Sequence, residues 1–191
     1  MENEKAILPE VQQIADAINA AVKNAGVTVS INPSPAEQHS LLLFPTKARE
    51  CAQWLKAESP WQLDYLSNVS GNDWPEDAIT KQTPKQPVKD AGEEPMHPCL
   101  EAVYHLYSIR QSLGPIIIRM RTENRSDKVE LPSLTPIWRS AELQEREIFD
   151  LYGIHFEGHP DLRRLLMWDE FEDHPMRRDY VEPDDYDYEP T

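Results

Sequence analysis

Two neighbouring runs, Leu100–Arg110 (LEAVYHLYSIR) and Pro115–Thr122 (PIIIRMRT), constrain this chain more than any other feature. Both are rich in aromatic and β-branched residues, and only the short Gln111–Gly114 segment separates them, which predicts an antiparallel hairpin. Upstream, Val11, Ile14, Ile18 and Val22 recur at helical spacing and predict a helix over Glu10–Ala25, with Pro9 suited to its start and Gly26 to its end. Val27–Ile31 and Leu41–Phe44 read as strands, and Trp61–Ser70 as a third from the alternation of Trp61, Leu63 and Tyr65. Between them Ala48, Cys51, Ala52 and Leu55 stripe a helix that opens at Pro45-Thr46 and runs to about Ala57. The order is α-β-β-α-β-β-β. One mixed or antiparallel sheet with both helices on one face would bury every stripe, a two-layer α+β fold.

Charge and composition exclude several functions. The 191 residues carry 19 Lys and Arg against 34 Asp and Glu, a net charge of −15. Phosphate affinity comes from clustered bases, so nucleic acid is not the expected partner, nor is an anionic lipid surface. Only six glycines are present against 17 prolines, and no GxGxxG loop exists. Gly153 and Gly158 have the outer spacing of a P-loop, but His159 stands where that loop needs Lys. Cys51 and Cys99 are the only cysteines and form no CxxC, so cluster and zinc spacings are missing. No apolar run approaches the roughly 20 residues needed to cross a bilayer. The acidic start resembles neither a signal nor a transit peptide.

Three regions follow: a two-layer domain over 1–131 with a Pro-rich surface insertion at 72–98, a helix and extended arm over 132–180, and an acidic tail over 181–191. Pro136 suits the first position of a helix over 136–152 that stops at Gly153. Arg146 lies one turn from both Glu142 and Asp150, so intrahelical ion pairs are the plainest reading there. His155, Glu157, His159 and Asp161 have ligand chemistry, and a small metal-dependent hydrolase using His155, His159 and Asp161 is the competing hypothesis. Gly158 and Pro160 break their strand and no second ligand cluster accompanies them, so a metal site is disfavoured. Gly158–Tyr180 has Arg163-Arg164, Arg177-Arg178 and the aromatics Trp168, Phe171 and Tyr180, but no periodicity. Such a segment either wraps over a partner protein or folds back on its own sheet. Enrichment of arginine and aromatics at interfaces favours the partner.

Glu145-Arg146-Glu147-Ile148-Phe149-Asp150-Leu151-Tyr152-Gly153-Ile154-His155-Phe156, followed by Gly158-His159-Pro160-Asp161-Leu162-Arg163-Arg164-Leu165-Leu166, resembles the signature of the 30 kDa subunit family of respiratory complex I. Tyr104–Ser108, Pro132–Trp138 and His174–Tyr180 also look like family segments. The resemblance is strong over 132–181 and looser over 10–131. It implies a two-layer α/β domain with a C-terminal extension that embraces the 49 kDa subunit. It implies a scaffold that itself binds no flavin, iron–sulfur cluster or quinone; NADH, FMN, clusters and quinone belong to partner subunits. The implied setting is the peripheral arm on the cytoplasmic side of a bacterial inner membrane, touching lipid only through the complex. Glu145, Arg146, Asp150, His159, Asp161, Arg163, Arg164, Arg177 and Arg178 are the signature residues expected at the partner interface. Relatives in membrane complexes with another electron donor are the alternative within the family.

Overall fold

The computed structural model describes residues 7–30, 38–76, 78 and 97–182. Its elements run α1 (Ile7–Ala21), β1 (Thr28–Ser30), β2 (Ser40–Leu43), α2 (Pro45–Ala57), β3 (Tyr65–Trp74), β4 (Cys99–Ser108), β5 (Leu113–Arg121), β6 (Val129–Pro132), α3 (Ala141–Tyr152) and β7 (Ile154–Glu157). The first seven reproduce the predicted α-β-β-α-β-β-β order. They form a five-stranded sheet in the order β1-β2-β5-β4-β3. β2 and β5 are parallel and the other neighbours antiparallel, so the sheet is mixed.

The β4–β5 hairpin sets the register. Ala102, Tyr104 and Leu106 stand opposite Met120, Ile118 and Ile116, and all six are buried on one face. That face joins Leu41, Leu43, Leu66 and Val69 with Ile14 and Ile18 of α1, Cys51 and Leu55 of α2, and Ile148 of α3 in one core. Each large aliphatic side chain so enclosed contributes about 1.5–3 kcal/mol relative to exposure. Burial pushes the thiols of Cys51 and Cys99 up to about 11 and about 12, so both are inert core groups.

Several boundaries differ from those expected. α1 ends at Ala21 rather than Ala25; Asn24 and Gly26 then take φ of 59° and 62°. The ring of Phe44 lies 2.7 Å from where a Cβ on Gly26 would sit, so only glycine fits that turn. β3 starts at Tyr65, not Trp61, because Leu63 is buried by pairing its N–H with Leu55 O beneath α2. It runs on to Trp74, so residues 72–74 belong to the sheet; residues 77 and 79–96 of the expected insertion lie outside the described residues. The helix expected over 136–152 starts only at Ala141. Before it, Ile137 and Trp138 donate to Leu134 O in a turn, and Trp138 Nε1 donates to Leu63 O at 2.9 Å. β6 and β7 form a second, parallel two-stranded sheet that the sequence pattern does not announce. Of the acidic tail, only Val181 and Glu182 are described.

β3 is an edge strand, and α3 with the turn before it closes that edge. Ser140 Oγ donates to Leu66 O, and Val69 N–H donates to Gln144 Oε1 at 2.6 Å. Unpaired edge groups invite pairing with other chains, and these side chains block that route.

Candidate functional site

α3 ends at Gly153, whose φ of 78° is the left-handed cap the sequence suggested. A helix leaves its last carbonyls without partners, and α3 has no basic residue in its own last turn to meet them. The arm fills that need. Arg164 Nη1 donates to Asp150 O, His174 Nδ1 contacts the same oxygen at 3.0 Å, Met176 N–H donates to Leu151 O, and Arg177 Nε donates to Tyr152 O at 2.8 Å. The segment after β7 is therefore folded back against α3, as a cap on its C-terminus. The backbone at Gly153 lies so close to His174 and Arg177 that a Cβ there would collide with both.

Asp150 is the anchor at the start of the arm. Its carboxylate is buried; Oδ2 accepts the N–H groups of Leu165, Leu166 and Met167 at 2.9, 2.6 and 2.9 Å, and Oδ1 accepts Arg164 Nη1 at 2.7 Å. Burial alone would raise its pKa, but these donors outweigh it and hold the carboxyl below its usual range. Arg146 adds a second clamp: Nε donates to Arg163 O and Nη2 to Arg164 O. Arg146 thus turns to the arm, with Asp161 at 3.8 Å, instead of pairing along its own helix with Glu142 and Asp150. His159 Nδ1 accepts the N–H of Asp161, so Nε2 carries the proton given to Glu142 O at 2.8 Å.

A second anchor holds the far end. Arg125 bridges Asp73 and Asp179, Arg178 N–H donates to Asp73 Oδ2, and Arg177 Nη1 meets Asp127 at 2.6 Å. Between the anchors Trp168, Phe171 and Tyr180 pack edge to face, with the Arg164 guanidinium 5.5 Å from the Phe171 ring centroid.

Glu145 lies behind the clasp. Its buried carboxylate accepts Tyr104 Oη, Ser133 Oγ, Leu134 N and Thr135 Oγ1, at 3.0, 2.5, 2.8 and 3.0 Å. It joins sheet, turn and helix, and burial raises its pKa despite four donors.

The nine signature residues thus separate. Glu145, Arg146, Asp150, His159, Arg164 and Arg177 engage partners within the chain, and Asp161 pairs with the exposed Arg163 at 3.0 Å. Arg163 and Arg178 turn their side chains outward. One arginine of each pair caps the helix and the other faces solvent. Near these two arginines in the sequence, Leu165, Leu166, Trp168, Met176 and Val181 are all exposed. They are more than half of the exposed large apolar side chains among the described residues, gathered in one 17-residue stretch. The two leucines close the signature run, directly after Arg163-Arg164, but are not among the residues expected at the interface.

The four ligand-type residues do not converge. His155 and Glu157 point outward from β7, while His159 and Asp161 are engaged as above. Among the described residues no group of three or more His, Cys, Asp or Glu could hold a metal ion, and no helix is long and apolar enough to cross a membrane.

The depressed pKa values give the clasp a pH dependence. Asp150 and Asp179 are held low, Asp179 chiefly by Arg125, so their stabilisation is complete above the ordinary Asp value of about 3.9 and is lost as pH falls through the native values. Glu145 acts oppositely: its raised pKa favours the neutral form in the fold, so its contribution declines as pH rises above about 4.3. Thermal melts are expected to lose temperature steeply below about pH 4, and Glu145→Gln to flatten the slope on the higher side. A midpoint constant through the acid range would contradict these assignments.

The class that fold and site define is a small α+β chain whose C-terminal segment caps its last helix and leaves apolar side chains exposed. The chain belongs to the family described as "Respiratory-chain NADH dehydrogenase, 30 Kd subunit", which it matches over residues 42–186. It is 35% identical over 185 residues to the C component of the NADH-quinone oxidoreductase of Coxiella burnetii, covering 91% of this chain and 79% of that one. It is 38% identical over 130 residues to the C/D component of the NADH-quinone oxidoreductase of Phocaeicola vulgatus, covering 68% of this chain and 21% of that longer one. Its fold is also similar to a solved chain from "the membrane-bound sulfane sulfur reductase (MBS), an archaeal respiratory membrane complex", with a TM-score of 0.61, 19% identity, and coverage of 90% and 86%.

Proposed function

We propose that this chain is a non-catalytic scaffold in the peripheral arm of a proton-translocating NADH:quinone oxidoreductase, docking its clasped arm on the 49 kDa-type subunit. The carrying observation is the exposed strip Leu165, Leu166, Trp168, Met176 and Val181 on a backbone fixed at both ends. Apolar side chains on a preorganised frame suit a partner surface, because little ordering remains to be done on binding. The fused C/D relative supports the choice of partner, since association there is covalent. In this reading NADH, flavin, iron–sulfur clusters and quinone reside in other subunits, and the chain meets the membrane only through the complex, on its cytoplasmic side in a bacterium. The signature residues then serve the interface in two ways: the inward ones shape the arm, and Arg163 and Arg178 flank the contact.

Within the family, the likeness to an archaeal complex keeps a different electron donor as the second reading. Purifying the tagged chain from gently solubilised membranes separates the two. The expected result is a large assembly containing the 49 kDa-type subunit and NADH-oxidising subunits. An assembly without the latter favours the second reading, and recovery only as a free chain contradicts both.

A further inference from the structure

A cleft opens at the edge of the five-stranded sheet, between β3 and α3, with Met176 of the arm in its wall. Its volume is about 230 Å³, room for one large side chain. Gly71 shapes it: a Cβ there would lie 2.6 Å from the Tyr152 ring, so the bare backbone lets that ring lie against the strand. The rim is open, because Asn68, Glu147 and Met176 are exposed.

The walls differ in chemistry. Ile148, Leu151 and Met176 give apolar surface, and Tyr152 gives an aromatic ring. On the strand side, Val69 N–H leaves the sheet to meet Gln144 Oε1 at 2.6 Å. A strand residue sends its N–H and C=O to the same side, and the next residue but one repeats that direction. The carbonyls of Val69 and Gly71 therefore also point away from β4, as acceptors on the cleft side. Glu147 supplies a charge. The ion pairs of α3 are made by Glu142, Arg146 and Asp150, and the exposed Glu147 enters none among the described residues. The residues one turn from it, Leu143, Gln144, Asp150 and Leu151, include no base. Burial, then Asp73 and Glu147, raise the pKa of the Tyr152 hydroxyl against the opposing pull of Arg178, so the charge felt at the ring is negative on balance.

Acceptor carbonyls, an unpaired carboxylate, an aromatic ring and apolar walls together complement one side chain. Arginine has an apolar stem and a planar cationic head that stacks on rings and carries five donors. We infer that this cleft receives an arginine side chain of a neighbouring polypeptide, paired with Glu147 and laid against Tyr152. The inference deepens the reading that the chain docks on a partner, and rests on it. Met176 lines the cleft and also belongs to the exposed strip of the arm, so the two surfaces are continuous. Leu143, 56% exposed and one turn before Glu147, extends the surface along α3. No arginine occurs in residues 1–6, 31–37, 77–96 or 183–191, and none of the described arginines lines the cleft, so the occupant comes from another chain.

The test uses the assembled complex, with the photoreactive residue p-benzoylphenylalanine placed at Leu143 beside the cleft, and separately at Leu166 on the arm. The expected adduct at Leu143 is a partner peptide containing arginine. Glu147→Lys should leave the melting temperature of the free chain unchanged, yet lower recovery of that partner with the tagged chain about tenfold or more. Replacing the identified arginine by glutamate should restore recovery with Glu147→Lys, which a merely structural role of Glu147 would not produce. If Glu147→Lys melts below the parent, Glu147→Gln carries the test, with a several-fold loss of recovery expected. Undiminished recovery with a folded Glu147 variant, failure of the charge exchange to restore it, or a Leu143 adduct to a peptide without arginine or to this chain itself overturns the inference. An adduct at Leu166 with none at Leu143 also overturns it and leaves the docked arm standing. Absence of both adducts refutes the assembly reading itself, and the inference with it.

Discussion

Replacing Asp150 with alanine is expected to destabilise the free chain by about 3–5 kcal/mol, the usual consequence of removing one partner from a buried ion pair. Three effects act together. Arg164 is left largely enclosed beside no carboxylate, the N–H groups of Leu165, Leu166 and Met167 lose their acceptor, and the arm no longer caps α3 firmly. Amide exchange locates the damage: these three amides should become fast while the β4–β5 hairpin stays slow. Asp150→Asn retains one carbonyl oxygen and should be milder. A variant that keeps slow exchange at 165–167 would show that the carboxylate is not the anchor.

The second large effect is expected in the assembly and not in the fold. Leu166 is 61% exposed, and its backbone N–H donates to Asp150 Oδ2. Leu166→Asn should leave the melting temperature of the free chain almost unchanged. Yet if this side chain is a central contact, recovery of the 49 kDa-type subunit with the tagged chain should drop about thirtyfold, the equivalent of about 2 kcal/mol. The two variants form a pair with opposite signatures. Asp150→Ala acts on stability first and assembly second, whereas Leu166→Asn acts on assembly alone. Equal recovery of the partner from the Leu166 variant would move the interface elsewhere.

What can be read in the sequence follows the range of the interactions. The hairpin around Ile116–Ile118 and the stripes of α1 and α2 are local patterns of period two and 3.6, and they mark their elements without help from the rest of the chain. The start of α3 is misplaced by sequence because Pro136 imitates a first-turn proline. The turn there is set by distant groups, Glu145 binding Leu134 N–H and Trp138 reaching Leu63 O. β6 and β7 are four residues each and pair in parallel across 21 intervening residues, so neither carries a signal of its own. The signature residues are all visible in the sequence, but their division of labour is not. Arg163 and Arg164 are indistinguishable there, and only the fold shows Arg164 turned to the carbonyl of Asp150 and Arg163 turned to solvent. The lack of any basic residue in the last turn of α3, followed by histidine and arginine pairs downstream, is the one hint that the arm supplies the cap.

Backbone groups and the side chains of Arg164, His174, Arg177 and Asp179 hold the arm to its own chain, and the proposed role requires its exposed apolar side chains to be covered by a partner. Hydroxyl-radical footprinting of the free chain and of the purified complex tests it in one experiment. Trp168 and Met176, each 51% exposed, should oxidise readily in the free chain and be protected several-fold in the complex. The exposed Ile109, at the far end of the hairpin, supplies the internal reference for solvent access in the free chain. Equal oxidation of Trp168 and Met176 in the free and assembled states would mean that this strip faces water throughout, and that the arm only caps a helix.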